Sequence, residues 1–94
     1  KEDPIMALSA KDLSVLAYAN GFTLWHYTTT DLATEVDTSG YLNAATDIVR
    51  IGDMILANTD TDGTPASGIF LVNANAAGVV DVADMTAVGN TDLD

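Results

Sequence analysis

The chain has 94 residues, with 14 acidic residues against 3 basic ones and a formal net charge of −11 at pH 7. This balance argues against binding to nucleic-acid phosphates and against docking on anionic membranes, so we expect no nucleic-acid partner and no membrane partner. The absence of cysteine excludes disulfides and thiolate metal sites. A hydrophobic share of 48% is too high for a disordered acidic tail, which indicates a small folded domain.

The predicted domain spans residues 6–94 as a single unit, without a linker or an internal repeat. Residues 1–5 are expected to be a cloning remnant, because Met6 and the small apolar residues after it look like a natural start. We find no pattern of a signal peptide, and no apolar run approaches the roughly 20 residues that span a bilayer.

The first predicted element, residues 9–21, carries helix signals. A serine followed three residues later by Asp12 is a weak capping box, and the Asn-Gly pair at the end is a common helix stop. We therefore expect a helix here. The alternative is a strand through Val15, Ala17 and Ala19 that ends in an Asn-Gly turn.

The clearest predicted strand covers residues 21–30, where aromatic and β-branched residues alternate. Both of its faces carry large apolar groups, so we expect one face in the core and the other against a neighbouring subunit. Trp25 and Tyr27 share one face, and together with Tyr41 they are the candidate interface residues, because aromatic side chains are enriched at interface centres.

The remaining elements predict a β-rich domain. Asp31 is expected to cap a short helix over 32–37, with an apolar edge formed by Leu32 and Val36. Further strands are predicted at 54–58, where an apolar run indicates burial on both faces, and at 68–73, 79–82 and 85–88. We therefore expect a mainly β fold, a small barrel or sandwich of about four to five strands with one or two short helices, with α+β as the alternative.

One loop resembles the first half of a calcium-binding loop. Asn58, Asp60 and Asp62 place oxygen-bearing side chains at alternate positions before Gly63. The final position of such a loop needs a bidentate glutamate, and this chain has Ile69 there. The favoured interpretation is a plain hairpin loop of turn-forming residues, with a weak Ca²⁺ site as the alternative and no other cofactor expected.

No residue pattern indicates catalysis, so we expect the protein not to be an enzyme. His26 is the only histidine, and neither a cysteine nor a serine in a nucleophile turn is present to work with it. Arg50 is the only cation between residue 12 and the end of the chain. We expect it to form a structural ion pair that fixes the turn before Ile51.

Three segments resemble a family of small phage and prophage proteins: 21–27 (GFTLWHY), 40–45 (GYLNAA) and 47–55 (DIVRIGDMI). The family pattern is an aromatic strand, a Gly-Tyr-Phe-Asn turn and a segment of the Arg-Val-Gly-Asp type. Leu42 stands where the family usually has Phe. Residues 68–72 and 79–82 continue the likeness, which covers roughly residues 8–94.

The resemblance implies a virion structural protein, most simply a capsid decoration or cement protein or the base of a head fibre. It implies localisation in the virion, a homo-oligomer (a trimer above all), and the phage major capsid or fibre protein as partner. The alternative is a tail-fibre-associated module that binds a host glycan or receptor through Trp25, Tyr27 or Tyr41. Burial of these rings favours the structural role, and a ring exposed in a groove favours the glycan.

Overall fold

A computed structural model of the protein describes residues 12–89. The elements in chain order are β1 (Leu13–Ala19), β2 (Phe22–Thr28), α1 (Ala33–Val36), a 3₁₀ turn (Asn43–Ala45), β3 (Met54–Thr59), β4 (Ala66–Ala76), β5 (Val79–Val82) and β6 (Thr86–Ala87). The predicted start at residues 1–6 lies outside the described residues.

The six strands form one sheet in the order β1-β2-β3-β4-β5, and β6 pairs with β4. β2 and β3 are parallel, whereas the other neighbours are antiparallel. The segment between β2 and β3 makes the crossover that a parallel pair requires, and it carries α1 and the 3₁₀ turn. The prediction of a mainly β fold is confirmed, and the sheet does not close into a barrel.

The predicted helix over residues 9–21 is wrong where the structure describes it, because β1 is a strand. Asn20 and Gly21 have φ angles of 56° and 83°, so both lie in the left-handed region that a tight two-residue hairpin turn requires. The turn pairs β1 with β2 in antiparallel register, which supplies the backbone hydrogen bonds that a helix would otherwise have provided. Tertiary pairing therefore outweighs the weak local helix signals.

The predicted burial of 54–58 on both faces is also corrected. Ile55 and Ala57 are buried, whereas Met54 on the opposite face is exposed and Leu56 is half-buried. β4 is longer than predicted and includes Asn75 and Ala76, which leaves Ala77 and Gly78 as the turn before β5.

The hydrophobic core lies between the inner face of the sheet and the crossover segment. The sheet contributes Trp25, Tyr27, Ile55, Ala57, Phe70, Val72, Val80 and Val82, and the crossover contributes Val36, Tyr41, Leu42, Ala45 and Val49. Residues paired across neighbouring strands share a face, so register places Trp25, Ile55 and Phe70 in one row across the sheet. The other face of the same strands is not covered by any described element.

The start of α1 differs from the predicted cap at Asp31. Leu32 is the cap residue, and its backbone N–H donates to the Glu35 Oε1 atom at 2.7 Å. Asp31 is buried instead and accepts a hydrogen bond from the Tyr41 hydroxyl. Of the predicted apolar edge, Val36 is buried and Leu32 is exposed.

Candidate functional site

All three candidate interface rings are buried within the chain. Trp25 is 6% exposed, Tyr27 1% and Tyr41 3%. The face of β2 that we expected to meet a neighbouring subunit is therefore the core face. Its partner face, which carries Phe22 and Leu24, points away from the core.

A shared hydrogen bond as well as packing holds the two tyrosine rings in the core. The Tyr27 and Tyr41 hydroxyl oxygens lie 2.8 Å apart, and the Tyr41 hydroxyl donates to Asp31 Oδ2 at 2.7 Å. The ring centroids are 6.3 Å apart in an edge-to-face arrangement. Burial, followed by the hydrogen bonds with Tyr27 and Asp31, raises the pKa of Tyr41 well above its usual value. These hydroxyls are committed to the fold.

Asp53 connects the turn before β3 to the sheet, and it is fully buried. Its carboxylate accepts hydrogen bonds from the Thr23 backbone N–H, the Trp25 Nε1–H and the Arg50 backbone N–H, each at 3.0 Å. Gly52 precedes it with a φ of 99°, a value that favours glycine. Gly52 and Asp53 therefore have a structural role, because Gly52 allows the turn before β3 and the Asp53 carboxylate links that turn to β2 by hydrogen bonds.

Within residues 12–89, the side-chain contacts of Arg50 are hydrogen bonds and a ring contact, where we expected an ion pair. Its guanidinium donates to the Gly21 carbonyl oxygen at 2.9 Å and to the Tyr18 hydroxyl at 3.2 Å. It also lies over the Tyr18 ring, 5.5 Å from the centroid. The arginine therefore ties the crossover segment to the hairpin of β1 and β2.

The calcium-loop candidates point in different directions. The Asn58 amide bonds His26 Nε2 at 2.9 Å and Ser67 Oγ at 2.8 Å across the sheet. Asp60 Oδ2 accepts the Thr64 backbone N–H at 3.1 Å, which closes the hairpin loop locally. Asp62 is exposed at the tip of that loop. Within residues 12–89, no group of three His, Cys, Asp or Glu could hold a metal ion.

The feature that we assign as the candidate functional site is the outer face of the sheet, opposite the core. Register places one apolar row across four strands, Ala17, Leu24, Met54 and Leu71. A second row joins His26, Leu56 and Ile69. We define the outer face by both rows together with Ala19 and Phe22.

On its β1–β2 side the outer face has an apolar groove of about 490 Å³. The groove forms because small residues line its base and larger ones line its sides. The small residues are Ala17, Ala19 and Gly52, and the larger ones are Phe22 and Met54. The aromatic ring lies so close to Gly52 that a Cβ atom there would come within 2.6 Å of it. A groove with these walls suits an apolar side chain of another molecule.

Charge is missing from the outer face, although the protein carries −11. None of the residues that define it is Asp, Glu, Lys or Arg. Among residues 12–89, the acids lie in loops, turns, the helix and, for Asp81, in β5, and one group of them is close enough to interact. Burial, and then the neighbouring carboxylates of Asp84 and Asp81, raises the pKa of Asp37.

Sequence reasoning missed this face because it assigned the two faces of β2 the wrong way round. The signal lies in the alternation of side chains along β2, β3 and β4. Once the register is known, every second residue of these strands falls on the same side of the sheet: Phe22, Leu24, Met54, Leu56 and Ile69. Register between strands that are distant in the chain depends on the whole sheet and is not readable strand by strand.

Comparisons with known protein families, with curated proteins and with solved structures found no match to this chain. The likeness to small phage proteins therefore rests on its sequence motifs alone. Within the part of the chain that the structure describes, no helix is long and apolar enough to cross a membrane.

Proposed function

We propose that this protein is a non-enzymatic virion component of a phage, a capsid decoration or cement protein or the base of a head fibre. In this role its outer face sits on the major capsid protein or a fibre protein. The observation that carries the proposal is the uncharged apolar outer face on a chain of net charge −11. The resemblance of the sequence motifs to small phage proteins is the reason for proposing a virion as the assembly.

The physical argument concerns what such a face does in water. Monomeric soluble proteins rarely expose a large contiguous apolar patch, and such patches mark interaction sites. Met54, Phe22 and Leu71 are all exposed on this face. Depletion of charge at the centre of a patch is the compositional signal of a protein–protein interface. The acidic remainder keeps the protein soluble until the partner covers the face.

Host-glycan binding is the competing role, and burial of the rings counts against it. Sugar stacking needs an aromatic face in contact with solvent, and Trp25, Tyr27 and Tyr41 are all inside the core. The exposed ring of the outer face, Phe22, carries no hydrogen-bonding group for a sugar hydroxyl. The wall residues of the groove are likewise almost entirely apolar.

The test uses capsids of the phage that encodes the chain, assembled without it. Purified protein is added to the capsids, and bound protein is measured after sedimentation through a density gradient. We expect saturable binding that Met54→Lys weakens at least tenfold, because the lysine charge would be buried without a partner. Ile48→Lys is the matched control, since Ile48 is exposed in the crossover segment and lies outside the outer face.

Two results would overturn the proposal. Wild-type protein that fails to bind capsids, fibres or tails of that phage removes the virion role. A glycan array that gives specific binding, lost on replacing an outer-face residue, assigns the host-recognition role instead.

A further inference from the structure

The strand β1 lies at an edge of the sheet and is exposed along nearly its whole length. Among residues 12–89, β1 pairs with a strand on one side only, β2. Its large side chains are exposed to solvent, with Val15 at 57%, Leu16 at 52% and Tyr18 at 60%. The strand thus presents apolar side chains and, along its free edge, backbone hydrogen-bonding groups.

Natural sheets usually blunt such an edge with charged residues, proline or a bulge. Residues 13–19 contain neither charge nor proline. The one blunting feature is a bulge between Val15 and Ala17. An apolar strand left this open is a site for pairing with another strand.

We propose that the free edge of β1 is a self-association surface, at which β1 hydrogen-bonds antiparallel to β1 of a second copy of this chain. The unpaired backbone groups of an edge strand form hydrogen bonds with an extended partner strand. A strand without charged side chains packs best against a partner strand that also has none. A second copy supplies both through the same residues, as an isologous contact requires.

The distribution of charge selects this contact between two copies that each carry −11. Residues 13–30, the hairpin of β1 and β2, contain no Asp, Glu, Lys or Arg. All acids except Glu2, Asp3 and Asp12 follow that hairpin in the chain. Two copies that meet edge to edge at β1 bring apolar residues together and keep most carboxylates apart. A basic partner would be drawn to the acidic surfaces instead.

Charge also selects the antiparallel direction. Asp12 precedes β1, and the guanidinium of Arg50 lies at its other end, beside Tyr18. Parallel pairing would set the two Asp12 residues side by side. Antiparallel pairing separates them by about 24 Å, the length of seven strand residues, and brings each acidic end toward the basic end of the other copy.

The contact would also extend the core face. Val15 and Tyr18 share the inner face with Trp25 and Thr23 through their register with β2. A two-fold axis perpendicular to the sheet places Val15 and Tyr18 of both copies on the same side, where they cover one another. Such a contact closes on itself as a pair, so we expect a dimer in place of the trimer that the phage resemblance implies.

This self-association does not depend on the virion role, because it uses β1 and leaves most of the outer face open. The first test is light scattering on the full chain after size-exclusion chromatography, at about 50 mM and about 500 mM salt. We expect a reversible dimer that tightens as salt screens the repulsion between the two acidic copies. A monomer at both salt concentrations and about 100 µM protein overturns the proposal.

The second test changes the edge itself. We expect Val15→Lys and Leu16→Lys each to raise the dimer dissociation constant at least tenfold. Each lysine lowers the net negative charge, which alone would favour association, so weaker association would be an effect of the edge. Ile48→Lys, equally exposed but outside the hairpin, makes the same change in charge and is expected not to weaken the dimer. An equal effect of all three variants contradicts the proposal.

A third test does not depend on how well the lysine variants fold. Because the chain has no cysteine, single cysteines can be introduced one at a time, as Val15→Cys, Leu16→Cys and Ala17→Cys near the middle of β1. Under mild oxidation we expect a disulfide-linked dimer at one or more of these positions, where the two-fold axis brings the same residue of both copies together. Cross-linking that is no faster at any of them than in Ile48→Cys would overturn antiparallel pairing.

Discussion

The inner and outer faces of the sheet differ in the contacts that their side chains make. On the inner face, Tyr27, Trp25 and Asp53 combine apolar packing with buried hydrogen bonds. On the outer face, Leu24 and Met54 offer apolar contact, and no charged residue of that face and no other element within residues 12–89 covers them. Hydrophobicity alone therefore does not locate the core of this protein. What separates the faces is the buried polar network that only one of them carries.

This difference has an energetic meaning. A buried hydrogen-bonded group that loses its partner costs the full desolvation of the group left behind, about 1–3 kcal/mol. An exposed apolar side chain has little to lose in the free protein. Substitutions on the inner face should therefore act on stability, and substitutions on the outer face on binding. Four substitutions test this difference between the faces.

The largest expected effect is that of Asp53→Ala, which removes the acceptor of three buried N–H donors. We expect the free energy of unfolding to fall by about 3 kcal/mol or more, because the alanine leaves these donors without a partner. Urea unfolding followed by the fluorescence of the single tryptophan, Trp25, measures the loss. Asp62→Ala in the exposed loop is the control, and an equal loss there would contradict the role of Asp53.

Tyr41→Phe is the next test, since it removes one hydroxyl and keeps the buried ring. That hydroxyl links Tyr27 to Asp31, so we expect a loss of about 1–3 kcal/mol in unfolding free energy. Tyr18→Phe makes the same chemical change on an exposed ring, and we expect less than about 0.5 kcal/mol there. Similar losses for the two variants would show that the buried network is not what distinguishes the inner face.

A smaller effect is expected in the acidic cluster. Burial and the charge of Asp84 raise the pKa of Asp37 in the folded state, so folding favours its protonated form. The ionised pair therefore opposes folding at neutral pH, and that opposition fades as the pH falls through the raised pKa toward the unfolded value of 3.8. We expect Asp84→Asn to increase the urea midpoint at pH 7 and to lose this advantage in acid. A gain that is independent of pH would contradict the electrostatic cause.

The smallest expected effect on stability is that of Met54→Thr on the outer face. The side chain is exposed and threonine is well tolerated in strands, so we expect a change of less than about 0.5 kcal/mol. Thermal unfolding followed by circular dichroism measures it. A loss as large as that of Tyr41→Phe would mean that Met54 belongs to the core and not to a binding face.

The sequence was informative wherever the signal was local. Alternation predicted β2, and turn residues placed the loop after β3 and the β5 strand. The β1 strand was the alternative to the favoured helix, because Asn20-Gly21 ends a helix and turns a hairpin equally well, and only pairing with β2 decides between them.

The candidate site was harder to predict, because it depends on contacts between distant residues. Asp53 lies 28 residues from Trp25, with which it forms a hydrogen bond, and no local pattern joins the two. No local pattern shows which face of β2 meets the core either, since the crossover segment determines which side of the sheet is covered. Residue chemistry indicated that Trp25 and Tyr27 make important contacts. Only the register shows that these contacts lie in the core.

If the inner face serves stability and the outer face serves assembly, a substitution on one face leaves the other property unchanged. Occupancy on capsids that lack the protein is measured for Met54→Lys and for Tyr41→Phe, at a temperature where both variants are folded. We expect Met54→Lys to lose at least tenfold in binding and Tyr41→Phe to bind like the wild type despite its lower stability. Unimpaired binding by Met54→Lys, or equal impairment of both variants, would contradict this expectation.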